Sequence, residues 1–366
     1  MTDLLGQDNT EPRQVALHDL PQLIRQWAHE LGFQAVAISD AKVDDDAEHL
    51  RTWLDKHYHG EMSYMAEHAA LRAEPALLEP GTIRCISLRM DYLDGDAANP
   101  IEVLDNPDKA YISRYALGRD YHKLLRKRIA QLAKRIKAAV PEAAGRAFVD
   151  SAPVLERALA QRAGMGWIGK NTMLINDKAG SWFFLGELYT NLALPVDEPQ
   201  KTTHCGSCQA CLPACPTGAI VAPFQVDGRR CISYLTIELK GTIPESFRTA
   251  MGNRVFGCDD CQLVCPWNKF AGSSLEDDFK PRHGLDNSDL AELFLWDEET
   301  FLANTEGSAI RRIGYARWLR NLAVGLGNAK NSSKAIAALQ ARISYPDEIV
   351  QEHVHWALAQ HGITPE

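Results

Sequence analysis

Eight of the chain's nine cysteines fall between residues 205 and 265, and thiols crowded this closely must be gathered around something. The first four stand in CGSCQACLPACP as Cys205, Cys208, Cys211 and Cys215, with Pro216 directly after them. This is the C-x2-C-x2-C-x3-C-P run of two-cluster ferredoxins, in which three close thiolates grip one 4Fe–4S cubane and the fourth crosses to another. A second run survives in altered form. Cys258, Cys261 and Cys265-Pro266 repeat its last three positions, Val255 occupies the place of the first, and Cys231 offers a replacement thiolate from upstream. The spacing therefore predicts two interleaved cages: Cys205, Cys208, Cys211 and Cys265 for one cluster, and Cys215, Cys231, Cys258 and Cys261 for the other. Two four-cysteine zinc sites would use the same count, but they favour paired knuckles separated by a wide gap. Disulfides suit a reducing cytosol poorly.

The stretch between the two cysteine groups is longer than a ferredoxin turn requires. ISYLTIEL alternates apolar and polar residues, SFRTAMGNRVFG has a helical pattern, and together they read as an insertion supporting the second cage. The ninth cysteine, Cys85 in RCISL, reads as a buried strand residue.

GMGWIGKNT, residues 164–172, matches the dinucleotide pattern G-x-G-x-x-G and comes close to a P-loop. Both motifs need a strand before the glycines and a helix after them, so that phosphate can sit on the helix N-terminus. The flanks read in the opposite order. Arg146–Val149 is a short strand, a helix opens near Ser151 and Pro153, Gly164 suits its cap, and TMLIN with SWFFLGELY around D-K-A-G reads as a hairpin. Both nucleotide readings fail. The glycines either cap the helix or let the backbone approach something large and flat. Asp150 stands where the strand hands over to the helix, among apolar neighbours that would raise a carboxyl pKa. It serves there either as an acid or as a helix cap.

The 366 residues allow two or three domains. No uncharged apolar run approaches the ~18 residues of a membrane span, and MTDLLGQDNTEPR has no secretory pattern, so a cytoplasmic protein is expected. A net charge of −9 argues against a nucleic-acid partner on average, but the average conceals local basic stretches. Arg114–Lys137 carries nine cations against Asp120, while Arg311, Arg312, Arg317 and Arg320 cluster near the C-terminus. Such faces either hold a polyanion or are merely solvated. RNLAVGLGN, residues 333–343 and HVHWALAQHG read as helices whose spacing resembles a short α-solenoid.

With the eight cysteines, DSAPVLERALAQRAGMGWIGKNTMLI and ISRYALGRDYHKLL in hand, the chain after its N-terminal tail resembles the epoxyqueuosine reductases. The resemblance implies reduction of the epoxide of epoxyqueuosine, at the wobble position of tRNA, to the alkene of queuosine. It implies cobalamin beside two 4Fe–4S clusters, with kinship to reductive dehalogenases. The implied fold is α+β: a mobile tail over residues 1–15, a nitroreductase-like cobalamin-binding domain over 16–199, a ferredoxin-like module over 200–272 and HEAT-like repeats over 273–366. The proton-donating aspartate falls on Asp150. Cobalamin contacts are expected from Arg72, Ser113, Asp150, Lys170 and Asn171, although the common D-x-H-x-x-G motif is absent and Asp120-Tyr121-His122 only approaches it. Arg311, Arg312, Arg317 and Arg320 become the tRNA face, with Tyr315 and Trp318 either beside it for splayed bases or, for Trp318, in the core. The resemblance also implies an external reductase or flavodoxin-like electron donor; nothing in the sequence argues against a monomer. The rival readings are a dehalogenase-like enzyme on a small molecule and a ferredoxin-type electron carrier.

Overall fold

The computed structural model describes residues 16–200 and 202–364; the tail expected over residues 1–15 lies outside them. RCISLRMD, around Cys85, forms a strand buried on both faces, because two layers of helix cover the sheet it centres. That sheet contains β1 (Ala35–Asp40), β2 (Arg84–Asp91), β3 (Gly145–Phe148) and β4 (Phe183–Thr190), in the order β1-β2-β4-β3 with antiparallel neighbours. Ile38, Ile86 and Leu188 stand side by side across three strands. They face α1 (Leu20–Glu30) and α2 (Tyr121–Ala139). The basic stretch becomes α2 because Tyr121, Leu125, Ile129, Leu132 and Ile136 recur at helical spacing and are buried. Lys123, Arg126, Lys127, Lys134 and Lys137 are left exposed. The opposite face, with Cys85, Phe148 and Tyr189, lies under α3 (Glu156–Arg162) through Val154 and Leu159.

A second core joins parts of all three expected segments: Ala110–Leu117, the insertion, and the helices from Leu290 onward. Tyr111–Ile112 pairs in parallel with Arg254–Phe256, which seats Val255 in this core and explains why that position holds no thiol. Against it pack α4 (Gly314–Asn328), the helix Ser333–Gln340 and α5 (Glu348–Gln360). Among the described residues, no helix is long and apolar enough to cross a membrane.

Four local expectations change. TMLIN and SWFFLGELY do not form a hairpin: Leu174–Ile175 pairs back across the glycines with Trp167–Ile168, while Phe183–Thr190 is drawn into the centre of the main sheet. ISYLTIEL is a helix over Ile232–Ile237, since Ile232 and Leu235 both bury against the C-terminal helices and tertiary packing overrides the alternation. The helix in SFRTAMGNRVFG ends at Met251, where Gly252 turns to a φ of 59° and releases the chain into a strand. The helix expected from Ser151 begins only at Glu156, after the residues around Pro153, consistent with the extended preference that proline imposes on its predecessor.

The two longest C-terminal helices meet where Gly327 of α4 lies against Trp356 and Ala357 of α5, with no room for a Cβ. Gly327→Leu should therefore overpack the contact and cost about 1–3 kcal/mol, lowering Tm by several degrees in a thermal melt while leaving the iron content of the folded protein unchanged.

Candidate active site

Asp150 follows the end of β3 with a φ of 46°, a left-handed backbone conformation that is strained for a non-glycine residue. Three hydrogen bonds hold it there. Its Oδ2 accepts from the Tyr121 hydroxyl at 2.7 Å and lies 3.0 Å from His122 Nε2, while its backbone N–H donates to Glu156 Oε1 at 2.6 Å. Asp120 supplies the other half of the arrangement. It caps α2 by accepting the His122 N–H, and the same oxygen lies 2.6 Å from His122 Nδ1. The Tyr121 ring is fixed by stacking on Phe184 at 3.8 Å and on His122 at 4.2 Å.

The result is an Asp120–His122–Asp150 chain whose outer carboxylate remains 48% exposed and so can meet a substrate. Burial disfavours the His122 cation, but hydrogen bonds to the two carboxylates outweigh it and raise the imidazole pKa to about 9. Burial likewise opposes the Asp150 anion, yet hydrogen bonds from His122 and Tyr121, with the charges of His122 and Arg312, carry its pKa below the ordinary value. At neutral pH the proton therefore resides on His122, and Asp150 is ionised beside it.

The structure brings the eight thiols into one neighbourhood, with Cys261 feeling Cys211 as well as Cys215 and Cys231. Cys205, Cys208, Cys211 and Cys265 line one cavity, closed by Pro266 and Trp267. Cys215, Cys231, Cys258 and Cys261 form a second group in which Cys231 and Cys261 both feel Cys215, and Cys258 feels Cys231. The turn Gly228–Arg230 delivers Cys231 to this group. All eight are free thiols, and Cys208 is exposed.

The glycine stretch is the clamp on these loops. Gly164, at a φ of 79°, ends α3, and Trp167–Ile168 pairs with Leu174–Ile175. Between those short strands, Lys170 Nζ donates to the carbonyls of Gly206 and Cys208 at 2.8 Å, and Asn171 Nδ2 donates to Cys261 O at 3.2 Å. One loop thus grips both thiol groups. Ser113 is buried and donates to Asp259 Oδ1 at 2.5 Å, beside Gly257, where a Cβ would strike it. Asp259 also accepts from Tyr111 and the Arg114 N–H, tying that strand to the second thiol group. Arg72 is buried, and among the described residues its guanidinium makes one hydrogen bond, to Tyr64 O at 3.2 Å.

The four C-terminal arginines do not share a face. Arg311 and Arg312 are exposed on the turn Ala309–Ile313, with Arg312 near Glu238 at 3.4 Å and close enough to Asp150 for each charge to act on the other. Arg317 is half-buried and donates to the carbonyls of Ile313 and Ile237. Arg320 is fully buried, donating to Leu235 O, Leu239 O and Gly241 O, and burial lowers its pKa to about 9. A guanidinium consumed in this way cannot meet a phosphate, which corrects the reading of Arg320 as an RNA contact. Tyr315 and Trp318 are likewise core residues rather than platforms for bases. His122 and Tyr121 are functional candidates whose role sequence reasoning missed: Asp120-Tyr121-His122 reads there only as an incomplete cobalamin motif.

A family model described as a 4Fe-4S double cluster binding domain matches residues 204–268, and one described as epoxyqueuosine reductase QueG, DUF1730, matches residues 72–151. The former identifies a two-cluster iron–sulfur module in the segment that carries the eight thiols. The epoxyqueuosine reductase of Pseudomonas aeruginosa is 60% identical over 357 residues, covering 98% of each chain. Among solved structures, an epoxyqueuosine reductase with a tRNA-Tyr epoxyqueuosine-modified tRNA stem loop is similar at a TM-score of 0.86 and 28% identity, over 95% of this chain and 92% of that one. The Bacillus subtilis epoxyqueuosine reductase, with its catalytic aspartate loop swung out of the active site, gives 0.84 and 28%, over 94% and 91%. Identity of this degree, carried along nearly the whole length of both proteins, settles the family: the chain belongs to the epoxyqueuosine reductases.

Proposed function

We propose that this chain reduces the epoxide of epoxyqueuosine in tRNA to the alkene of queuosine, with Asp150 as the acid and His122 as the store of its proton. The observation that carries the reading is the Asp120–His122–Asp150 chain opening towards substrate. The net change adds two electrons and two protons and releases one water. Asp150 delivers a proton to the departing oxygen, drawing it from the His122 imidazolium, while Tyr121 keeps the carboxylate aimed. The strained backbone at Asp150 suits a loop that moves, as the swung-out loop of the Bacillus subtilis relative does.

Cys205, Cys208, Cys211 and Cys265 would hold one cluster, and Cys215, Cys231, Cys258 and Cys261 the other. Arg72 fits cobalamin: a buried guanidinium with a single hydrogen bond has donors to spare for an amide-rich corrin. Ser113, Asp150 and the Lys170–Asn171 loop would complete its surroundings, Lys170 acting by position because its ammonium is already engaged with carbonyls. When bound, these groups supply single electrons and a reducing cobalt centre. The electrons would come from an external reductase or flavodoxin-like protein, with exposed Cys208 on the accessible side. The tRNA stem loop bound by a relative supports an RNA substrate, for which Arg311, Arg312 and Arg317 remain the candidate contacts. In this reading the C-terminal helix pair is HEAT-like and the enzyme is a cytoplasmic monomer.

Cys231→Ala should remove one cluster, leaving about half the wild-type iron and labile sulfide; a full inventory in anaerobically prepared protein would break the crossed pairing. Asp150→Asn should keep clusters and cobalamin yet lower kcat by at least about 100-fold. In the wild type, turnover should fall as pH rises through about 9, where His122 loses its proton, and His122→Gln should abolish that limb of the profile along with most of the rate. Arg311→Ala should weaken tRNA binding and flatten the dependence of log Kd on log salt by about one, as read by titration at several ionic strengths.

A further inference from the structure

Behind Asp150 lie two acids that the reaction scheme leaves unused. The first is Glu156, whose Oε1 accepts the Asp150 backbone N–H and so holds the left-handed residue in place. The second is Glu187, which the Glu156 carboxyl faces. Glu187 lies on β4, between Phe148 of β3 and Ser87 of β2, and rises into the apolar layer under α3. It has no solvent exposure, and neither of its oxygens meets an N–H or O–H donor among the described residues. Two carboxyls facing each other in such a place cannot both be ionised without strong repulsion; one proton between them removes it.

The other groups around the pair leave that conclusion standing. Asp150 adds negative charge on one side, whereas Arg157 turns its guanidinium to the carbonyl of Thr172. Arg72 acts from the neighbouring helix, and Tyr121, Tyr189 and Cys85 are neutral. Burial pushes the Glu187 carboxyl well up, and burial with the Asp150 charge pushes Glu156 up to about 7.

We propose that Glu156 and Glu187 share one proton, and that this pair locks the backbone of Asp150 in its working position. Glu187 donates its O–H to Glu156, which as the ionised partner accepts that bond and the Asp150 N–H together. Loss of the shared proton leaves two ionised carboxylates facing each other, one of them fully buried, and the latch opens. Both are positioning residues, and the inference rests on Asp150 being the acid.

The latch can be tested in two ways. Infrared spectra of the cluster-loaded protein without substrate should show a protonated carboxylic acid at neutral pH. Its band should shift on 13C-glutamate labelling and persist in Asp150→Asn, so it stands apart from the fate of the acid assignment. In kinetics, Glu187→Leu removes the donor and should lower kcat by roughly 10-fold or more, with KM for tRNA little changed. Glu187→Gln, which restores an N–H donor, should recover most of that loss. No glutamate-derived acid band in the labelled wild type would overturn the proposal, as would an unaltered kcat in folded Glu187→Leu.

Discussion

Lys170 and Asn171 reach from one tight loop to the carbonyls of both thiol groups, and the remaining architecture depends on that grip. The cysteine-bearing loops, unlike the insertion between them, contribute little to the apolar cores, so polar contacts hold them against the sheet. Asn268 takes the Ser181 N–H and returns a donor to the Ser181 hydroxyl, Gln262 donates to the Ser181 carbonyl, and Asp259 collects Tyr111, Ser113 and Arg114. Gly180 and Gly257 stand at two of these junctions, where a side chain would push the surfaces apart. Buried polar contacts fix register strictly, because every displaced partner is left unsatisfied. A site whose reacting groups come from different segments needs that strictness.

The charges around Asp150 show how a fold can hold a proton beside a carboxylate without placing it there. An isolated carboxylate at this position would be pushed towards neutrality by burial, but the His122 cation makes the ionised form the stable one. The proton waits one hydrogen bond away on a group anchored by Asp120, the cap of α2. The strained backbone and the charge arrangement are thus separate devices at one residue: Glu156 governs where Asp150 stands, and His122 governs its charge.

The sequence carried the local parts of this picture well. Thiol spacing is set by short-range geometry, so a two-cluster iron–sulfur module could be written down before any fold was known. The strand leading to Asp150 was readable for the same reason, as was the absence of a helix directly after the glycines, which excludes a phosphate cradle; the pairing of the strands that follow was not. Contacts across the sheet were not. Glu187 looks like one acid in a strand until Phe148 is placed opposite it, and nothing in GRDYHKLL says that its histidine meets an aspartate nearly thirty residues later. Arg320 misled because helical spacing reports a face but not what covers it. The carbonyls that consume its guanidinium belong to the insertion, whose own helix was hidden by an alternating pattern.

The parallel pairing of Tyr111–Ile112 with Arg254–Phe256 also bears on how the protein is made. The first of these strands leaves the ribosome early and the second late, so a nascent chain carries an unpaired apolar edge through much of its synthesis. Cys215 waits in the same way for Cys258 and Cys261, which arrive just behind the late strand. Assembly of the second thiol group and the seating of the final helices therefore belong to a single closing stage of biogenesis, the interval in which the chain is most vulnerable to aggregation and to oxygen.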